Sequence, residues 1–181
     1  FYHEHPRTYS YKSFEYIAES LGVNLLDAEF VSRYGGNIRV YLGEGNQAKL
    51  DIDESSFASL FEIMNDNHSE WQVETKKMIE DLVKTYGSLK AKAFPGRAAI
   101  LIKLLDLDVK DISAVYEIEG SIKVGHYVPG TRIPILPERD LYIQDITLPI
   151  LNLAWHLPDE VRENLNSHGY LGDVFDIKRG L

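Results

Sequence analysis

The sequence predicts an α/β protein: a mostly parallel sheet with helices on both faces, preceded by one helix and a β-hairpin. Three observations carry this. From residue 89 onward, short apolar extended runs alternate with helical patterns, as in repeated strand-helix units. Several of those runs, Thr147 to Ala154 above all, are apolar without alternation, as strands buried on both faces are. Ahead of residue 50 the pattern is instead one helix and then two strands around a Gly-Gly turn.

Ser10 is a helix cap, Phe14, Ile17 and Leu21 recur at helical spacing, and Gly22 suits the left-handed residue that ends the helix predicted over 11 to 21. Val23 to Val31 and Ile38 to Leu42 read as strands, the second alternating Val40 and Leu42 against Arg39 and Tyr41. Arg33-Tyr34-Gly35-Gly36-Asn37 joins them, with glycines that permit positive φ. Gly43 to Asp53 is polar and marks a boundary between two packing units. From Glu54 the period becomes helical. Phe57, Leu60, Phe61 and Met64 form one stripe, and Trp71, Met78, Ile79, Leu82, Val83 and Tyr86 a second, with Asn65 to His68 predicted to separate two helices.

Leu89 to Phe94 then reads as a strand, Pro95-Gly96 as a turn, Arg97 to Leu105 as a buried helix and Ile112 to Ile118 as a strand. Ile133 to Leu136 is a short extended piece, and Thr147 to Ala154 another strand. Pro158 at the first helical position, Asp159 and Glu160 in the first turn and Gly169 after the last bracket a final helix. Leu171 to Ile177 closes the set as a strand.

At 181 residues and 44% hydrophobic, the chain suits one domain, or a small piece plus one domain. A net charge of −9 argues against nucleic acid and anionic membranes, both of which reward clustered Lys and Arg. No apolar run approaches the roughly 18 residues of a membrane span, and no signal-peptide layout opens the chain, so a cytoplasmic setting is expected. With no cysteine there is no disulfide, no thiolate metal site and no cysteine nucleophile.

Six stretches offer chemistry, each with a plain structural alternative. Gly43-Glu44-Gly45-Asn46-Gln47-Ala48 spells a dinucleotide turn, but no helical period follows it, which favours a polar linker. Asp51, Asp53, Ser55 and Glu62 fall at calcium-loop positions, yet Ser56 stands where the loop needs glycine, which favours a carboxylate-rich helix start. Phe94-Pro95-Gly96-Arg97 joins a strand to a helix, where an α/β sheet binds ligands; amides and the Arg97 guanidinium could hold a phosphate, or the turn is merely tight. His126 to Pro134 is a proline-pinned loop that either contacts ligand or buries Tyr127 and Ile133, and Trp155-His156 either lines a cleft or caps the core.

The sixth is the start of the chain, Tyr2-His3-Glu4-His5, which carries no initiator Met before it. His3 and His5 face the same way on an extended segment and could share a metal, although no third ligand is near. Tyr2, Glu4 and His5 suit proton abstraction, with an imidazole titrating near neutrality, a carboxylate to orient it and a phenol to steady an enolate. A frayed terminus is the alternative.

In chain order, Tyr2-His3-Glu4-His5, a Ser- and Tyr-bearing helix start and Tyr34-Gly35-Gly36-Asn37-Ile38-Arg39-Val40-Tyr41 resemble the end of the catalytic domain of S-adenosylmethionine-dependent sugar C-methyltransferases. Gly125-x-Tyr127-x-Pro129-Gly130-Thr131-x-Ile133-Pro134-Ile135 and Leu153-Ala154-Trp155 resemble that family's Rossmann-like C-terminal domain. The resemblance implies that residues 1–50 are the tail of the methyltransferase domain and 51–181 a Rossmann-like substrate domain. It implies His5 as general base, Glu4 as its orienting partner and Tyr2 as proton relay or enolate stabiliser, with Tyr and His able to exchange the base role. Arg97, Tyr127, Pro129, Gly130, Thr131 and Trp155 become substrate contacts, and no metal site is expected.

The implied substrate is a nucleotide-linked keto-sugar, and the implied cofactor is S-adenosylmethionine in the parent enzyme, with none expected to bind this chain alone. The family's zinc-binding cysteines and glycine-rich adenosylmethionine loop are missing here, so a missing N-terminal half is the expected partner, and the hairpin edge allows a homodimer. Phe94-Pro95-Gly96-Arg97 stands where the family carries a Gly-x-x-x-Lys-Gly-like turn, which puts the nucleotide contact in doubt. The alternative class is a non-catalytic nucleotide-binding or interaction module with the same fold.

Overall fold

In the computed structural model, residues 7–32, 36–48 and 50–178 are described. By their contacts they divide into two compact units, one ending at Met64 and one beginning at Asn65.

The first unit holds α1 (Tyr11–Leu21), β1 (Asn24–Val31) and β2 (Asn37–Gly43). Ser10 caps the helix as the sequence predicts, Ser13 bonds back to the Ser10 amide, and Gly22 closes the helix at φ +69°. β1 and β2 pair antiparallel with Glu29 opposite Arg39, and the register slips between Leu25 and Asp27. Glu29 accepts from the Arg39 guanidinium and from the Tyr41 hydroxyl, both at 2.9 Å, so the Arg and Tyr of the hairpin motif grip one carboxylate on its outer face. Tyr11, Ala18 and Leu25 form the small core, with Phe14, Ile38, Val40 and Leu42 packed against it.

α2 (Phe57–Tyr86) is one unbroken helix of 30 residues, and the contact boundary falls inside it, beyond the polar stretch before residue 54. The break expected at Asn65 to His68 does not occur. Asn, Asp and His cost only a few tenths of a kcal/mol each, roughly up to 0.7, in a helix interior, and no Gly or Pro interrupts the run. Phe57, Leu60, Phe61 and Met64 do share a face, but each is 41–55% exposed.

The second unit carries a five-stranded parallel sheet in the order β5-β4-β3-β6-β7: β3 (Leu89–Lys92), β4 (Ile112–Glu117), β5 (Ile135–Pro137), β6 (Ile150–Asn152) and β7 (Val174–Asp176). The strands are shorter than the apolar runs predict, although single backbone bonds carry on into the flanks, from Leu153 to Lys92 and from Ile177 to Asn152. With β3 first, this is the doubly wound, Rossmann-like order: the chain builds outward to β5, then returns past β3 to lay down β6 and β7. α3 (Ala98–Leu104) and the C-terminal part of α2 cover one face, where Ile79, Ala98 and Ile102 meet Ala91, Val115 and Leu151. α4 (Arg139–Tyr142), which the sequence reading does not anticipate, and α5 (Pro158–Ser167) cover the other, where Leu141, Val161 and Leu165 meet Ala114, Tyr116 and Ile150.

No helix among the described residues is long and apolar enough to cross a membrane.

Candidate functional site

Two places gather chemistry, one in each unit. In the first unit a cleft of about 930 Å³ opens between the segment that leads into α1 and the tip of the hairpin. Arg7, Tyr9 and Phe14 line one side, Phe30, Ser32 and Asn37 another, and Glu54 and Phe57 the rest. The carboxylate of Glu54 is held by the Tyr11 backbone amide at 2.7 Å. Tyr2, Glu4 and His5 immediately precede this segment in the chain and lie outside the described residues, as do His3, Tyr34 and Gly35.

In the second unit the carboxyl ends of the strands carry a set of buried polar groups. β3 alternates: Leu89 and Ala91 enter the core beneath α2 and α3, whereas Lys90 and Lys92 point to the other face. Lys92, 3% exposed, pairs with Glu138 at 3.0 Å, and Glu138 also accepts from the Tyr142 hydroxyl at 2.7 Å. Burial pushes the Glu138 carboxyl up, but that hydroxyl and the Lys92 ammonium outweigh it and hold the group below its usual range. The Lys90 ammonium donates to the Asp145 carbonyl at 2.6 Å, and burial lowers its pKa.

The turn after β3 is tight and already furnished. Ala93 adopts φ +63°, a left-handed backbone that costs a non-glycine residue about 1 kcal/mol. The Phe94 amide donates to the buried Glu117 carboxylate at the end of β4, at 2.7 Å, and the Phe94 carbonyl accepts from Lys123 at 2.6 Å. The first amide of the turn is therefore spent on a protein carboxylate, so this turn is less open to an anion than its sequence suggests.

Arg97 is half-buried at the start of α3. Beyond β6, Asn152 holds the outgoing loop: its side chain accepts from the Ala154 amide at 2.9 Å and donates to Asp176 at 2.7 Å, and Asp176 pairs with Arg162 at 2.5 Å. That loop presents Trp155, packed against the core, with His156 edge-on to it at 5.4 Å. Desolvation and the Arg97 guanidinium lower the His156 pKa, which puts Arg97 and the 155–156 loop near one another. β3 and β6 are adjacent, so Arg97 and Trp155 flank the point where the strand order reverses, the usual ligand crevice of this architecture.

The 126–134 loop is elsewhere. It leads into the start of β5 rather than away from a carboxyl end. Val128 and Ile133 are buried, the Val128 amide donates to the Ile133 carbonyl, and the Thr131 hydroxyl donates to the Val128 carbonyl while accepting from the Ile133 amide. Tyr127, which a purely structural turn would bury, is 55% exposed, with Arg132 over its ring at 6.0 Å.

Two sequence matches dissolve in the fold. Among the described residues no helix opens directly after Gly43-Glu44-Gly45, and a Cβ at Gly43 or Gly45 would meet Leu26 at 3.3 or 3.0 Å, so these glycines pack on a leucine. Asp53 caps the approach to α2 by accepting from the Ser55 amide, and among the described residues no cluster of three metal-ligating side chains occurs. The groups that sequence reasoning missed are Lys92, Glu117, Glu138 and Asn152. The one available signal was a pair of lysines two apart inside an otherwise buried strand.

The chain matches the C-methyltransferase C-terminal domain family over residues 32–175. That span takes in both β2 and the parallel sheet and covers well over half of the sequence, so the chain belongs to this family. No curated protein matches it.

Proposed function

We propose, starting from that membership, that this chain is the C-terminal portion of an S-adenosylmethionine-dependent C-methyltransferase acting on a nucleotide-linked keto-sugar. The observation that carries the reading is the family match itself, which spans residues 32–175 and so takes in β2 and the parallel sheet. In this reading residues 1–50 end the catalytic domain and 51–181 form the substrate domain.

S-adenosylmethionine supplies an electrophilic methyl group when bound to such an enzyme. The described residues do not fit it: the glycines after β2 are packed against Leu26 and no helix N-terminus follows them. This chain contributes acid-base groups and substrate contacts. His5 removes the proton from the carbon beside the ketone, and the electron pair of that C–H bond moves into an enolate whose oxygen Tyr2 meets with its hydroxyl. Glu4 holds the imidazole in the productive orientation. Arg97 and Trp155, together with Tyr127, Pro129, Gly130 and Thr131, are the substrate contacts of the second unit.

Calorimetric titration of the 181-residue chain with a nucleoside-diphosphate hexose and, separately, with the free hexose tests the substrate class. Saturable binding of the nucleotide-linked sugar alone is expected. Equal binding of both, or of neither, overturns it.

A further inference from the structure

We propose that the apolar stripe at the start of α2, Phe57, Leu60, Phe61 and Met64, is a self-association surface whose occupant is the same stripe of a second copy of this chain. The proposal does not depend on the substrate reading above.

At about 100° of rotation per residue, the four side chains fall within an arc of roughly 100° on one side of the helix. They are 51%, 53%, 55% and 41% exposed. Trp71, Ile79 and Leu82 continue the same face further along, and there the core of the second unit takes them up. Within the first unit, the core draws on Phe14, Ile38, Leu42 and Ile52 and on no described residue of α2. The first two turns of the helix thus hold an apolar face that the core of their own unit does not use.

Charge placement favours an identical partner. Between Phe57 and His68 the only carboxylates are Glu62 and Asp66, and helical rotation puts both on the side opposite the stripe. The residues that edge the stripe are Ala58, Asn65 and Asn67, which carry no charge. Two copies with a net charge of −9 each can therefore meet face to face here without opposing like charges at the contact. A charged partner would find nothing on this face to pair with.

The area is also sufficient. At about 200 Å² for a fully exposed aromatic side chain, four half-exposed residues leave roughly 400 Å² bare, the scale of patches that mark interaction sites. With an apolar share near 60%, such a patch implies about 650 Å² per copy and about 1,300 Å² in all, above the roughly 1,000 Å² that a specific pairing needs. Phe57 belongs both to the stripe and to the wall of the first unit's cleft, so a copy seated on the stripe borders that cleft.

Sedimentation equilibrium of the full 181-residue chain, from low to high micromolar concentration, is the test. The parent should pass from one chain mass to two as concentration rises. Added salt should not weaken the association, because it screens the repulsion between two acidic copies. Leu60→Glu and Phe61→Glu each put like charges into the contact and should weaken association roughly a hundredfold or more. Both positions are exposed and glutamate is a good helix former, so each variant should keep the melting curve of the dilute parent. Glu62→Gln, on the opposite side of the helix, should associate as the parent does.

A parent chain that stays monomeric throughout overturns the proposal and leaves the stripe to the N-terminal half of the enzyme. A dimer that persists unchanged in Leu60→Glu and Phe61→Glu also overturns it, because the contact then lies elsewhere, as pairing of the hairpin edge would place it. Association lost equally in Glu62→Gln has the same consequence.

Discussion

The Lys92–Glu138 pair makes a quantitative demand on the second unit. Lys92→Met keeps most of the buried stem and deletes the ammonium, leaving Glu138 with the Tyr142 hydroxyl as its remaining side-chain donor. Removing one member of a buried ion pair typically costs about 3–5 kcal/mol, because the other charge is left unpaired. The carboxyl can escape part of that by taking up a proton.

The two routes share a pH signature. In the parent protein Glu138 lies below its unfolded value. Its contribution is therefore present above the unfolded pKa near 4.3 and is lost as pH falls through the folded value. In Lys92→Met the folded value lies above the unfolded one, so the variant gains stability as pH falls from 7 towards about 4.3. The deficit should shrink on acidification. Both tryptophans of the chain, Trp71 and Trp155, belong to the second unit, so urea unfolding followed by their fluorescence reports on it directly. With a urea m-value of about 2 kcal/mol/M, the midpoint at pH 7 should drop by roughly 1.5–2.5 M. The double variant Lys92→Met/Glu138→Leu should recover most of the loss. A deficit under about 1 kcal/mol at pH 7, constant from pH 4.5 to 8, would refute the assignment of Lys92 as the group that keeps Glu138 charged.

Gly172→Ala should destabilise the second unit by more than about 2 kcal/mol in the same urea assay, since the new Cβ would lie 1.9 Å from the Leu148 carbonyl oxygen and backbone must move. Ala93→Gly should stabilise by about 0.5–1 kcal/mol by relieving the left-handed backbone at φ +63°, and a fall in the urea midpoint would show that the Ala93 methyl packing outweighs the strain. Tyr170, whose hydroxyl donates to the Leu148 carbonyl, has its pKa pushed up to about 12 by burial and by the nearby Asp145 and Tyr116. Its contribution is full below the unfolded value near 10 and is lost as pH rises towards 12, so Tyr170→Phe should flatten the alkaline limb of a stability-pH curve measured by thermal melts.

Much of the fold is written in local patterns. Ser10, Ser13 and Gly22 set the ends of α1 because caps act within a few residues of themselves. The hairpin follows from period-two alternation around two glycines, and the parallel sheet from apolar runs too continuous to face water on either side. The motifs of the hairpin and of the 125–135 loop identify the family for the same reason: their spacing along the chain survives without knowledge of the fold.

What tertiary structure alone decided depends on distance along the chain. Phe57, Leu60, Phe61 and Met64 read as a core stripe, yet a stripe shows only that a face is apolar, not that anything covers it. The single helix over Phe57–Tyr86 is set by propensities too close to zero at Asn65 to His68 for the sequence to resolve. Lys92 meets Glu138 across 46 positions, and Phe94 meets Glu117 across 23, through strand order that no local pattern encodes. The cleft beside Arg7 exists because the approach to α1 and the tip of the hairpin are brought face to face by the pairing of β1 with β2 and the packing of α1 against them. Charge partners and concavities are long-range properties of a packed chain, and in this protein both candidate sites are made of them.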